Sequence, residues 1–239
     1  MKLLTLVVPC YNEINSLPIL VERIKSVEET IHFIILDNGS RDGSTEYLKK
    51  INSQLQSNIS IYFIDKNNGY GAGVLEGLKS ISDSNFIGWI HGDLQFDFLG
   101  LDQLLNYLNN HIENSTSIFY KGIRKGRKPL DRLFSYVMGT SASLILGMKF
   151  KEMNAQPTVF SNNLLQLVKE PPKDFNFDTY VYWLAMKNKF KLKRDFYDFP
   201  PRVHGQSKWD FGLSSKVKFS LSLLKYFFRL RKYNKSYSK

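Results

Sequence analysis

The chain has 239 residues and a mass of 27.8 kDa, with 43% apolar and 23% charged residues. That is the balance of an ordinary globular protein able to bury its own core, which excludes collagen, a disulfide scaffold and global disorder. Its one cysteine, Cys10, excludes an internal disulfide and a multi-cysteine zinc site, and the net charge of +11 is uneven: residues 211–239 hold eight Lys and Arg and no acid, leaving +3 for the body.

Residues 1–10 form a short apolar run. Tyr11-Asn12-Glu13 follows in place of a small-residue cleavage site, so a first strand is expected over 3–8 and not a signal peptide. Asn15 or Ser16 can cap a helix whose apolar positions Leu17, Leu20, Val21, Ile24 and Val27 recur at helical spacing. Further strands are expected at 32–36, 59–64, 86–90 and 116–120, and further helices at 44–55, 74–81 and 101–108. This alternation predicts βαβ units and a mainly parallel sheet flanked by helices, an α/β fold with its ligands beyond the carboxyl ends of the strands.

The second half is less regular, with helices expected at 130–146 and 176–187 and a strand at 191–199. The basic tail mixes its charges with Leu223, Leu224, Phe227 and other bulky residues. It reads either as a helix lying in an anionic membrane surface or as a helix packed on the core with a basic outer face. No nucleic-acid signature accompanies the charge, so no nucleic-acid partner is expected. No run of roughly 18 apolar residues predicts a membrane span.

The residues after each strand carry the chemistry. Pro9-Cys10-Tyr11-Asn12-Glu13 offers a ring to stack on a base and a carboxylate to accept hydrogen bonds from it. Taken alone, a strand-ending proline and a helix cap explain it as well. Asp37-Asn38-Gly39-Ser40 with Asp42-Gly43-Ser44-Thr45 reads as a turn and cap, or as a holder for a base or ribose. In an extended segment, alternation puts His91, Asp93, Gln95 and Asp97 on one side. Such oxygen donors suit a hard divalent cation bridging a diphosphate. A basic run, Lys121 to Arg132, follows the fifth strand.

These motifs, in this order, resemble the family 2 inverting glycosyltransferases over roughly residues 3–210, and among them the dolichol-phosphate mannose synthase-like enzymes and their bacterial relatives. The resemblance implies the GT-A fold, a Rossmann-like nucleotide-diphospho-sugar transferase domain over 1–210, followed by a basic amphipathic extension over 211–239. It implies that Pro9, Tyr11, Glu13, Leu36, Asp37 and Asn38 bind the nucleoside. Asn38 stands where the family usually has a second Asp. Asp93 and Gln95 match the family's Asp-x-Asp-x-Gln and would hold Mg²⁺ or Mn²⁺. His91, in place of the leading Asp, would ligate the ion or contact sugar or phosphate beside Gly92. Arg124 and Arg132 would meet phosphate through the guanidinium fork. Arg202 and Lys208, in a loop like the family's Arg…Gly-x-Ser-Lys, would close over the diphosphate. Asn154 and Gln156 are candidates to face the sugar or acceptor, and Asp178 is a general base or a plain helix residue.

The implied activity is metal-dependent, inverting transfer of a sugar from a nucleoside-diphosphate sugar, UDP- or GDP-linked. The acceptor would be a polyprenyl phosphate or lipid-linked saccharide in cell-surface glycan synthesis. The enzyme would sit in the cytoplasm, peripherally at the inner face of the membrane. The alternative is a non-catalytic membrane- or saccharide-binding module on a degenerate transferase fold.

Overall fold

The computed structural model describes residues 2–27, 29–112, 117–201 and 213–237. In chain order the elements are β1 (Lys2–Cys10), α1 (Leu17–Lys25), β2 (Ile31–Asp37), α2 (Ser44–Ile51), β3 (Ile59–Phe63), α3 (Tyr70–Lys79), β4 (Ser84–Trp89), α4 (Leu101–Asn109), β5 (Ile118–Lys125), α5 (Pro129–Leu146), β6 (Thr158–Ser161), α6 (Asn176–Lys187), β7 (Lys191–Asp198) and α7 (Leu213–Tyr237). The seven-stranded sheet runs β3-β2-β1-β4-β6-β5-β7. Only β6 is antiparallel to its neighbours, so the other six strands end at the same edge.

The strand sequences explain the layers. Leu4, Leu6 and Val8 of β1 face one side, where α1, α2 and α4 deliver Leu20, Ile24, Leu48 and Leu104. Val7 faces the other, where α3, α5, α6 and α7 bring Val74, Ala142, Phe177 and Phe227. A strand buried on both faces reads as a continuous apolar run, and β1 and β2 show that pattern.

Three features differ from the sequence expectation. The fifth strand is longer than 116–120 and takes in Lys121, Arg124 and Lys125, so the start of the supposed basic loop is sheet. The short strand β6 was not predicted at all. The third helix begins at Tyr70 and not at 74, so Gly71 and Gly73 lie in its first turn. Its glycines permit close packing: a Cβ on Gly71 would lie 2.6 Å from Phe177 Cβ, and one on Gly77 2.6 Å from Val7 Cγ1.

Helix α7 packs beside α5 and α6. Leu223, Tyr226, Phe227 and Leu230 recur at helical spacing and are buried in the same core cluster as α6. Of the two readings of the tail, its main apolar face is spent on packing, with basic residues outward. No helix among the described residues is long and apolar enough to cross a membrane.

Candidate active site

The strand order reverses between β1 and β4, and in open α/β sheets a ligand crevice lies beyond such a point. Two loop systems meet there. The first joins the ends of β1 and β2, where Pro9 and Cys10 pair with Leu36 and Asp37. Asn12 turns the chain with φ +55°, a conformation that Asn tolerates better than most residues. Its Oδ1 accepts from Arg41 N at 2.8 Å, and its own N–H donates to Ser40 Oγ at 3.0 Å. Glu13 N donates to Ser44 Oγ at 3.1 Å, and Ile14 N to Asp42 Oδ2 at 3.1 Å. Asp42 Oδ1 accepts from Ser44 N and Oγ at 3.0 and 2.6 Å. Burial pushes the Asp42 carboxyl up, but these hydrogen bonds outweigh it and hold the group below its ordinary range.

Several predicted nucleoside contacts serve this framework. Asp37 is 1% exposed; its Oδ1 accepts from Ser40 N at 3.1 Å and its Oδ2 from the Thr45 hydroxyl. Leu36 is fully buried, and its Cδ1 would lie 2.8 Å from a Cβ on Gly77, so its side chain is core. Asn38 is buried too. Its Nδ2 donates to Gly69 O at 3.2 Å, and a Cβ on Gly73 would lie 2.7 Å from that nitrogen. A carboxylate would face the Gly69 carbonyl with no proton to give, which is a physical reason for Asn in place of Asp. Pro9, Tyr11 and Glu13 are half-buried at the edge, where Glu13 Oε2 accepts from Ser16 Oγ at 3.0 Å.

The second loop system follows β4. His91, Asp93, Gln95 and Asp97 are half-buried while Gly92, Leu94, Phe96 and Phe98 are buried, the alternation that the sequence predicted. Gly92 draws this loop onto β1: a Cβ there would lie 2.7 Å from Cys10 Sγ. Leu94 has φ +62°, and its carbonyl accepts from Arg23 Nη1 at 3.1 Å. Asp93 Oδ1 accepts from Gln95 N at 3.2 Å, and Gln95 Nε2 donates to Pro200 O at 3.2 Å. Asp97 caps the 3₁₀ turn Phe98–Gly100 through Leu99 N at 3.0 Å.

For a divalent cation, the loop after β4 supplies the half-buried carboxylate of Asp93 and the Gln95 amide two residues on. Among the described residues no group of three His, Cys, Asp or Glu gathers to cage an ion. That donor set fits Mg²⁺ or Mn²⁺ held by one carboxylate together with substrate phosphates. It does not fit an all-protein site. The His91 ring nitrogen Nε2 lies 2.9 Å from the Tyr70 hydroxyl, and its backbone N–H donates to Gln156 Oε1. Burial lowers the His91 pKa, against the nearby Asp93 and Asp178 charges, so the ring is neutral at pH 7.

Beneath His91 lies a buried polar cluster that the sequence did not announce. Asp178, 1% exposed, accepts from Trp89 Nε1 at 3.0 Å and from the Tyr70 hydroxyl at 3.4 Å through Oδ1. Its Oδ2 meets no partner among the described residues, and neither does Gln156 Nε2. Burial raises the Asp178 pKa, partly offset by Lys121 and His91. Lys121 is fully buried and donates to Ala155 O at 2.9 Å and Thr158 Oγ1 at 2.7 Å. Burial lowers its pKa to about 7. The only signal was a lysine inside the run Ile118-Phe119-Tyr120-Lys121-Gly122-Ile123, and a charge there looks like a strand end.

The arginines are placed unequally. Arg124 Nε donates to Glu152 Oε2 at 2.7 Å, and its guanidinium stacks 5.4 Å from the Phe199 ring centre. Arg127 reaches the same carboxylate at 3.4 Å. Glu152 therefore already counters part of the charge expected to meet phosphate. Arg132 is exposed on the first turn of α5. Arg202 and Lys208 lie outside the described residues.

A profile of the family described as "Glycosyl transferase family 2" matches residues 5–217. The chain belongs to glycosyl transferase family 2. One curated relative of this family 2 chain is the undecaprenyl-phosphate 4-deoxy-4-formamido-L-arabinose transferase of Yersinia enterocolitica. It is 33% identical over 98 residues, 39% of this chain and 30% of the relative. The same-named protein of Yersinia pestis (strain Pestoides F) is 32% identical over the same length. The match thus spans under a third of those relatives' length. Glucosyl-3-phosphoglycerate synthase from Mycobacterium tuberculosis, in complex with phosphoglyceric acid, superposes with a TM-score of 0.71 at 13% identity, covering 95% of this chain and 80% of that one. Its complex with Mn²⁺, UDP and glucosyl-3-phosphoglycerate gives 0.68 at 14% identity, with the same coverage. At such identity the likeness shows the fold alone, and that fold is the GT-A glycosyltransferase fold.

Proposed function

We propose that this family 2 chain transfers a sugar, with inversion, from a nucleoside-diphosphate sugar to a polyprenyl phosphate at the cytoplasmic face of a membrane. The observation that carries this reading is the meeting of the Tyr11–Glu13 and Asp93–Gln95 loops at the switch point between β1 and β4, pinned together by Gly92 against Cys10. The acceptor class is that of the undecaprenyl-phosphate transferases among its relatives, and a UDP- and Mn²⁺-binding donor site is that of the glucosyl-3-phosphoglycerate synthase it superposes on.

In this reading Tyr11 and Glu13 hold the base, with Pro9 shaping the wall. Asp37, Leu36 and Asn38 support that wall from behind. Asp93 and Gln95 would hold Mg²⁺ or Mn²⁺, which when bound neutralises diphosphate charge and so favours its departure. Arg132, Arg202 and Lys208 add cationic contacts to phosphate, on the strength of their sequence motifs. The acceptor phosphate oxygen attacks the anomeric carbon from the face opposite the diphosphate. A carbon–oxygen bond forms there while the bond to the diphosphate breaks, and the nucleoside diphosphate leaves with the electron pair.

A phosphate acceptor is already ionised and needs no base. This agrees with an Asp178 buried under Trp89 and Tyr70, which we assign to positioning Tyr70 and His91 and not to proton removal. Family membership favours the transferase over a non-catalytic module.

The test is thermal stabilisation by UDP, GDP, CDP and dTDP, each with Mn²⁺, Mg²⁺ or chelator, followed by transfer to a short-chain polyprenyl phosphate. A nucleotide at 100 times its Kd is expected to raise Tm by roughly 5–10 °C, with metal only. No stabilisation by any nucleotide, together with no transfer, overturns the reading.

A further inference from the structure

The exposed apolar residues of the described chain gather most densely on α5. Leu130, Leu133, Tyr136, Val137 and Leu144 are all exposed, Leu133 by 56%, Tyr136 by 71% and Leu144 by 79%. Their spacing of three, four and seven puts them on one side of the helix. The opposite side, Met138, Gly139, Ala142 and Leu146, is buried against the core. A helix apolar on both sides but wet on one exposes more bulky surface than a soluble face needs.

Two further observations say what covers it. The exposed charges around the start of α5 are cationic, Lys125, Lys128 and Arg132; the acids near them are Asp131 and the half-buried Glu152, which is already paired with Arg124 and Arg127. Helix α7, packed beside α5, adds exposed Val217, Leu221 and Phe228 among Lys218, Lys225, Arg229, Arg231 and Lys232. Bulky apolar side chains ringed by cations match an anionic bilayer surface, where the apolar groups enter the acyl boundary and the cations meet lipid phosphates. Moreover, α5 leaves the sheet from the end of β5, at the edge where Asp93 and Tyr11 lie.

We infer that the exposed face of α5 is a membrane-docking surface for anionic lipid, which holds the active-site edge against the bilayer. The inference rests on the lipid-acceptor reading for its purpose; the surface itself is argued from exposure and charge. It assigns docking to a different helix face from the buried one of the C-terminal tail.

The test is flotation of the full chain with vesicles of phosphatidylcholine alone or mixed with phosphatidylglycerol. Wild type is expected to float with the mixed vesicles, less in high salt and least with phosphatidylcholine alone. The double variant Leu133→Glu/Tyr136→Glu is expected to bind them about tenfold or more weakly, with unchanged Tm and unchanged nucleotide stabilisation. Should the glutamates disturb folding, Leu133→Ser/Tyr136→Ser serves instead. Equal flotation of the variant overturns the inference. A dimer that the variant dissolves, with no flotation by wild type, makes a second copy the occupant and also overturns it. Failure of the transferase reading shows separately, as absent nucleotide stabilisation with flotation intact.

Discussion

The two loop systems at the sheet edge are built on opposite plans. The β1/β2 side is closed by short hydrogen bonds between neighbouring loops: Asp42 to Ser44 and Ile14, Asn12 to Arg41, Asp37 to Ser40 and Thr45. The β4/β6/α6 side rests on a buried cluster of His91, Tyr70, Asp178, Gln156 and Lys121, in which Asp178 Oδ2 and Gln156 Nε2 have no partner among the described residues. A satisfied network fixes a shape in advance. A network with buried unpaired groups is less stable, and such groups call for an explanation, a functional role being one. The first side is braced mainly in advance, with the buried Asn38 Oδ1 its one named atom lacking a partner among the described residues, and under the proposed function it would receive the nucleoside. Under the proposed function, the second side would turn its polar groups toward the sugar and acceptor.

The largest expected effect is on the second side. Asp93→Ala should lower transfer by about 10³-fold, because a charge aimed at the departing diphosphate is lost. Tm is expected to change little, since Asp93 is half-buried in the loop after β4 and the hydrogen bond it accepts from Gln95 N is short-range. Steady-state transfer and a melting curve check both; wild-type rates would remove Asp93 from the site.

Lys121→Met tests the buried cluster. Lys121 has a folded pKa near 7 against about 10.4 in an unfolded chain. Between those values the unfolded state binds more protons, so wild-type stability gains as pH rises from about 7 to 10. The variant lacks this slope, so wild type should gain on it by up to a few kcal/mol over that window, at roughly 1.4 kcal/mol per unit. Urea melts of both proteins at pH 7 and 9.5 measure it. Parallel pH profiles would mean that the amine is not held as described.

Asp42→Ala tests the preformed side. Losing three hydrogen bonds should cost about 1–3 kcal/mol and weaken nucleotide binding. The depressed Asp42 pKa contributes stability that is present above its unfolded value, near 4, and lost as pH falls through the folded one. The gap between wild type and variant should therefore shrink in acid, which denaturation at pH 7 and pH 3 will show.

The smallest effect is predicted for Asp178→Asn. Asn keeps the shape and can still accept from Trp89, so transfer to a polyprenyl phosphate should fall less than about tenfold. A drop of 10³-fold with Tm unchanged would make Asp178 a base after all.

Elements that depend on local pattern were legible in the sequence. The buried strands β1 and β2 showed as apolar runs, α6 appeared at 176–187 as expected, and the β4 loop alternated as predicted, because periodicity and turn chemistry are short-range. Lys121 was not legible as a buried residue, since burial of a charge depends on Ala155 and Thr158, far along the chain. The strand β6 escaped for a similar reason: four residues pair only because β4 and β5 flank them.

By itself, then, the sequence determined the βαβ order, the loop motifs at the strand ends and the basic bias of the tail, all set by residues near one another. Only the tertiary structure decided that Leu36 is core, that Asp37 braces its own loop, that Glu152 faces Arg124, and that α7 buries its apolar side while α5 leaves one exposed. Those outcomes depend on which surfaces meet across the sheet, and hydrophobic burial takes no account of sequence distance.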